Sequence, residues 1–344
     1  MASPVKIKFA SRSYDGLLPI LRGQLRVPGF DLDIMETEDV PGMFAGMFRG
    51  EYDISEMSLG ELVYYTSRGQ AKFVAIPVFP SRLFRHGFIF CRKASAIKSP
   101  EDLSGKRIGF LRWVQTAAIW MRGMLVDEYG VSAKDTQWYA TSMHHWDDAD
   151  PGAAVMPRDG STIQWIQSKG KNSSERACRA LFDSEVDALG ITESQLPMLL
   201  ANNEVKRLFE NCREVEASYF RKTKILPIMH VVALQKDLAE RHPDLPAALF
   251  QLFSESKRWA QRWRRGIPSL VEAWTNQTLD EEEKVFESDP WAYGLKANRH
   301  VLDKFFLYCH AQGISARNIA SEELFHHSTN DLTELADSGK TREV

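Results

Sequence analysis

Apolar positions along this chain fall into short runs of two kinds that take turns. Residues 6–10 alternate apolar and polar side chains, as a half-buried strand does. Residues 16–25 have helical spacing, and residues 30–35 (FDLDIM) alternate again. Helical spacing returns over 40–48, with Met43, Met47 and Phe48 on the apolar side. Residues 52–57 read as a strand and 59–67 as a helix. Residues 73–79 (FVAIPVF) are almost continuously apolar, the pattern of a strand covered on both faces. Strand and helix in strict alternation predict a mainly parallel sheet flanked by helices.

The alternation continues in a second block. Residues 88–92 and 107–110 read as strands, separated by a turn, a short helical start and a glycine stop over 99–106. Residues 116–129 form a helical run closed by Gly130, and 137–140 and 186–191 read as further strands. The polar stretch 142–174, which contains His144 and His145, reads as surface loop with one helical piece. Residues 228–234 (IMHVVAL) are a strong strand. From Leu238 onward the pattern is helical, broken by Pro243, Pro246, Pro268 and Pro290. Trp259 and Trp263, one helical turn apart, are expected to pack in the core. The polar tail from Ser328 is expected to fray.

Composition narrows the class. A chain of 344 residues predicts two domains. Hydrophobic residues at 44% and charged residues at 26% place it among globular proteins. A formal net charge of -3 provides no field to gather nucleic acid or an anionic membrane. No apolar run approaches the ~20 residues of a membrane helix. The N-terminus lacks the apolar stretch and cleavage site of a secretory signal, so a cytoplasmic location is expected. Cys91, Cys178, Cys212 and Cys309 are scattered without a CxxC pair and are read as reduced thiols. GxGxxG, P-loop and HEXXH strings are absent, so neither a cofactor nor a metal is expected. His86, His230 and Glu56 are nonetheless a set that two imidazoles and a carboxylate would offer to a metal.

Two resemblances sharpen the picture. IKSPEDLSGKRIGF (residues 97–110) resembles the start of the second lobe in type II periplasmic solute-binding proteins. That resemblance implies two lobes, residues 1–92 with 229–344 and residues 93–228, joined by two crossing strands. A small anion would lie between them. DISEMSLGEL (53–62), FVAIPVFPSRLFRH (73–86) and TAAIWMRGMLVDEYGV (116–131) more closely resemble the 4,5-dihydroxyphthalate decarboxylases, enzymes built on that same fold. The early SYDG (13–16) and late PIMHVV (227–232) are compatible with this family. The resemblance implies a small aromatic dicarboxylate as substrate, loss of CO2, and no cofactor. The alternative on the same fold is a non-catalytic cytoplasmic solute-binding protein for a small anion. Association with a second copy of the chain is left open.

The implied chemistry asks for particular groups. Direct loss of CO2 from a ring would leave an aryl carbanion. A base on the para hydroxyl and an acid at the ring carbon avoid it. A cationic anchor must hold the carboxylate that stays. Ser81, Arg82, Arg85 and His86 lie together where the first crossing strand begins. His86 is expected as the ring-protonating acid, with Arg82 or Arg85 as anchor. Glu56 and Ser58 stand at the end of the 52–57 strand. Glu56 is expected as base or as the residue that orients histidine, and Ser58 as ligand contact or as the cap of a capping box with Glu61. Thr116 opens a helix whose free N–H groups attract a carboxylate. Arg122, two turns on, is a further binding candidate. His230 in the return strand is an acid, base or contact candidate, the ordinary alternative being a satisfied core histidine. Tyr14, just after the first strand, completes the set.

Overall fold

The computed structural model describes residues 3–144, 155–266 and 273–334, and it organises them around two mixed sheets. The first sheet contains β1 (Val5–Ser11), β2 (Phe30–Glu36), β3 (Ile54–Ser58), β4 (Phe73–Arg82) and β11 (Ile228–Gln235), in the order β2-β1-β3-β11-β4. The second contains β5 (Ile89–Arg92), β6 (Arg107–Arg112), β7 (Gln137–Ser142), β8 (Thr162–Trp165), β9 (Ala188–Gly190) and β10 (Val205–Arg207), in the order β10-β5-β9-β6-β7-β8. β1 pairs parallel with β2 and β3, and β6 pairs parallel with β7 and β9. The reversed strands are the two expected to link the lobes. β11 runs antiparallel to β3 and β4, and β5 runs antiparallel to β9 and β10. A strand arriving from the other lobe enters its sheet from the opposite end, which reverses it.

Helices cover both sheets. They include α1 (Leu18–Leu21), α2 (Val40–Arg49), α3 (Leu59–Ser67), α4 (Thr116–Tyr129), α5 (Ser173–Phe182), α6 (Leu196–Leu200) and α7 (Cys212–Thr223). Four more follow β11: α8 (Lys236–Arg241), α9 (Leu245–Gly266), α10 (Thr275–Phe286) and α11 (Leu295–Ala311). One apolar core runs from Ile7, Phe9 and Phe44 in the first sheet's layer through Trp113, Trp120 and Phe110 to Trp138 in the second. A smaller cluster around Phe90, Leu181 and Leu189 fills the far face of the second sheet. α11 spans the two layers, its Phe305 and Tyr308 packing on Trp120 of α4. No helix among the described residues is long and apolar enough to cross a membrane.

Several local expectations are corrected. The helix expected over 16–25 is a 3-10 turn (Asp15–Leu17) and the four-residue α1, because Pro19 restarts the backbone and Gly23 ends it at φ +67. The described part of 142–174 has the strand β8 and no helix until Ser173. There His144 is buried, its Nδ1 2.8 Å from Glu61 Oε2, while His145 lies outside the described residues, as does Pro268. Trp259 and Trp263 are half-buried and stack on each other at 5.5 Å rather than filling the core. α4, read from the sequence as a helical run, is buried along most of its length.

Candidate functional site

Three neighbouring strands place polar side chains at one level. In the β3-β11-β4 ladder, His230 pairs with Ser58 on one side and Ser81 on the other. All three line a cavity of about 440 Å3 between the two sheets. Glu56 is two residues before Ser58, so it shares that face of β3 and is a diagonal neighbour of His230. Its carboxylate is wholly buried, and Oε1 is hydrogen-bonded to His230 Nδ1. Tyr14 donates its hydroxyl to the same oxygen at 2.6 Å, and the Arg12 amide donates to Oε2 at 3.4 Å. Burial pushes the Glu56 pKa up, but His230, Tyr14 and the Arg12 amide together hold it below the usual carboxylate range. Burial beside Glu56 drives the Tyr14 hydroxyl strongly upward, so it stays protonated and donates.

Two helix N-termini meet at this cavity. α3 starts immediately after β3, and α4 starts after β6 at Gln115–Thr116. The Thr116 hydroxyl accepts from the Gly60 amide at 2.9 Å and lies 2.8 Å from Ser58 Oγ. Gly60 permits the approach, since a Cβ there would stand 2.4 Å from the Val114 carbonyl oxygen. Ser58 holds the N-cap position of α3, but its hydroxyl crosses to Thr116 instead of capping, and the expected capping box with Glu61 is not made. Glu61 turns to His144. An anion in this cavity meets both helix dipoles, each roughly 0.3–1 kcal/mol in its favour.

Cations complete the cavity. Arg85 is 4% exposed and lines it, with Nε 3.1 Å from Met229 Sδ and Nη1 3.4 Å from Glu193 Oε1. Arg12 follows β1 and Arg112 ends β6, and both line the cavity. Arg12 is paired with Glu38 at 2.8 Å. Sequence reasoning missed Arg12, Arg112 and Glu193. All three stand at or just beyond strand carboxyl ends, the place where open α/β sheets bind ligands, and that rule would have found them.

Other expected site residues lie elsewhere. His86 is fully buried behind the cavity, enclosed by Tyr129, Phe209 and Tyr219 at ring distances of 5.1–6.1 Å. Neither ring nitrogen has a hydrogen-bond partner among the described residues, and burial lowers its pKa to about 4. Between β4 and β5 the chain makes a 3-10 turn (His86–Phe88), which directs His86 away from Arg82. Arg82 faces a neighbouring cavity of about 580 Å3, which shares Arg12, Ser81 and Glu193 with the first. Its Nη2 donates to the Ala292 carbonyl at 2.8 Å and to Asn298 Oδ1 at 2.5 Å. Tyr14 lines this second cavity and is tied to His230 of the first through Glu56. Arg122 is buried because α4 is buried on all sides from Thr116 to Leu125. It lies over the Trp113 ring at 3.8 Å and donates to Gln312 and to the Trp113 carbonyl. His86 is therefore apart from Glu56 and His230, and the three do not form a metal site. No group of three His, Cys, Asp or Glu placed to hold a metal occurs among the described residues.

Comparison with known proteins agrees with this architecture. Residues 10–273 match the model of a family described as "ABC transporter, phosphonate, periplasmic substrate-binding protein". The 4,5-dihydroxyphthalate decarboxylase of Comamonas testosteroni is 33% identical over 329 residues, 94% of this chain and 97% of that one. The chain belongs to the 4,5-dihydroxyphthalate decarboxylase family, a family of carboxy-lyases. A second member, from Pseudomonas putida, is 36% identical over 135 residues, 39% of this chain and 52% of that one. The family's fold is that of periplasmic binding proteins. The aliphatic sulphonate binding protein of Escherichia coli superposes with a TM-score of 0.55 at 14% identity, over 95% of this chain and 99% of its own. A desulfurization enzyme superposes at 0.50 with 13% identity, over 93% of this chain and 96% of its own. At such identities these two likenesses speak for the fold alone.

Proposed function

We propose that this chain decarboxylates a hydroxylated aromatic dicarboxylate, 4,5-dihydroxyphthalate or a close relative, with His230 as the acid. The observation that carries this reading is the buried Glu56 carboxylate holding Nδ1 of a histidine that faces an anion-attracting cavity. The carboxylate that stays on the ring sits at the N-termini of α3 and α4, beside the Ser58 and Thr116 hydroxyls, and Arg85 supplies the countercharge. Glu56 fixes the imidazole ring through Nδ1, which leaves Nε2 as the nitrogen that hands a proton to the substrate. Glu56 is sealed from the cavity and orients His230 rather than touching substrate.

His230 donates its proton to the ring carbon that bears the departing carboxylate. The C–C bond then breaks, its electron pair restores the aromatic ring, and CO2 leaves. One proton from solvent reloads His230 in each turnover. The hydroxylated ring holds the electrons throughout, which is why the reading needs no electron-sink cofactor. The test is incubation of the purified protein with 4,5-dihydroxyphthalate, following protocatechuate and CO2. Formation of both supports the reading. Saturable binding with no product would instead favour a non-catalytic solute-binding protein.

A further inference from the structure

The reading above leaves the para hydroxyl of the substrate without a base. Glu56 is excluded because its carboxylate is sealed from the cavity. Two carboxylates are among the side chains that line the cavity, Glu38 and Glu193. Glu38 is 71% exposed and tied to Arg12 through both Nε and Nη2. Glu193 stands across the cavity from His230, on the loop that follows β9 of the second sheet, with its side chain 48% exposed and open to the cleft. Its loop is held in place: the Thr192 amide bonds Gln195 Oε1 at 3.0 Å, and Gln195 Nε2 bonds Ser174 at 2.7 Å. Arg85, 3.4 Å away, keeps it ionised.

We propose that Glu193 accepts the proton of the ring hydroxyl while His230 protonates the ring from the opposite lobe. The inference rests on the decarboxylase reading and completes it. An ionised carboxylate is a weak base, and a phenol alone would resist it. Once the ring carbon has taken a proton, the hydroxyl belongs to a protonated dienone and is strongly acidic, so a weak base suffices. The balance closes. The His230 proton forms the new ring C–H bond, and the hydroxyl proton moves to Glu193. Loss of CO2 returns the C–C electron pair to the ring, and the resulting phenolate takes its proton back from Glu193.

Glu193→Gln tests this in the full chain, with 4,5-dihydroxyphthalate and a ring-fluorinated analogue whose hydroxyl is more acidic. The expected loss in kcat/KM is about 100-fold or more near neutral pH. The ratio of variant to parent should then rise about tenfold per pH unit until the hydroxyl ionises by itself. The fluorinated analogue should show a smaller deficit. His230→Asn should show neither recovery. A Glu193→Gln deficit that is the same at every pH and for both substrates would mean a binding role only, and would overturn the proposal, as would full activity. Absence of product from the parent would overturn the decarboxylase reading itself, and this inference with it.

Discussion

Glu56 and His230 sit two residues apart in register across the β3-β11 pair, and the buried carboxylate of one holds the imidazole Nδ1 of the other. In the decarboxylase reading proposed above, the pair divides the labour of an acid between two places: Glu56 holds charge where it is wholly buried, and His230 delivers the proton at the edge of the cavity.

Removing either half should separate binding from turnover. His230→Asn is expected to lower kcat by about 100-fold to 10,000-fold. Glu56→Gln keeps the shape but loses the charge, and should also lower kcat while moving the pH profile. In both variants isothermal titration should still detect the substrate, since the helix N-termini and Arg85 remain. Unchanged kcat in His230→Asn would remove it as the acid.

Arg85→Gln should act on binding. The cavity would lose a buried cation whose pKa burial lowers and whose nearby carboxylates restore it only in part. KM is expected to rise at least about tenfold, with a smaller change in kcat, as loss of a charge-assisted contact predicts. Steady-state kinetics decides it.

Gly60→Ala should hold the two helix N-termini apart. The new methyl would meet the Val114 carbonyl oxygen at 2.4 Å and the Ile119 side chain at 2.8 Å. Backbone must shift, the Gly60 amide leaves Thr116, and an unsatisfied buried amide costs about 1–3 kcal/mol. A lower melting temperature together with a raised KM is the expected result. A variant identical to the parent would show that the close approach is not needed.

His86→Leu should leave turnover within a few-fold of the parent, because the residue lies outside the cavity. Its effect is on acid stability. Burial holds the folded value at about 4 against an ordinary 6.5, so the unfolded chain takes up the proton first. The stability His86 permits is whole above 6.5 and is lost as pH falls toward 4, at about 1.4 kcal/mol per pH unit. Denaturant titrations across this range should show that slope in the parent and a shallower one in His86→Leu.

Much of the fold was legible in one dimension. α3 and α4 begin and end where apolar spacing, Gly130 and the preceding strands predict, and β1, β2 and β11 fall within a residue or so of their alternating runs. Where a breaker interrupts helical spacing, as at Pro19, the spacing alone overstates the length of the helix. The site was legible by place more than by residue. Glu56, Ser58, Ser81, Arg85, Thr116 and His230 are brought to one locality, whereas His86, Arg82 and Arg122 are directed elsewhere.

The sequence by itself determined which segments are strands and helices, and that their ends carry serines, arginines and histidines, because periodicity and turn chemistry act over a few residues. Only the tertiary structure decided which of those side chains share a cavity. A single 3-10 turn after β4 sends His86 into an aromatic cage, and the burial of the first ten residues of α4 encloses Arg122. Pairing between strands separated by more than 170 residues brings Glu56 to His230. Such directions depend on which elements become neighbours, and no local run of residues contains that choice.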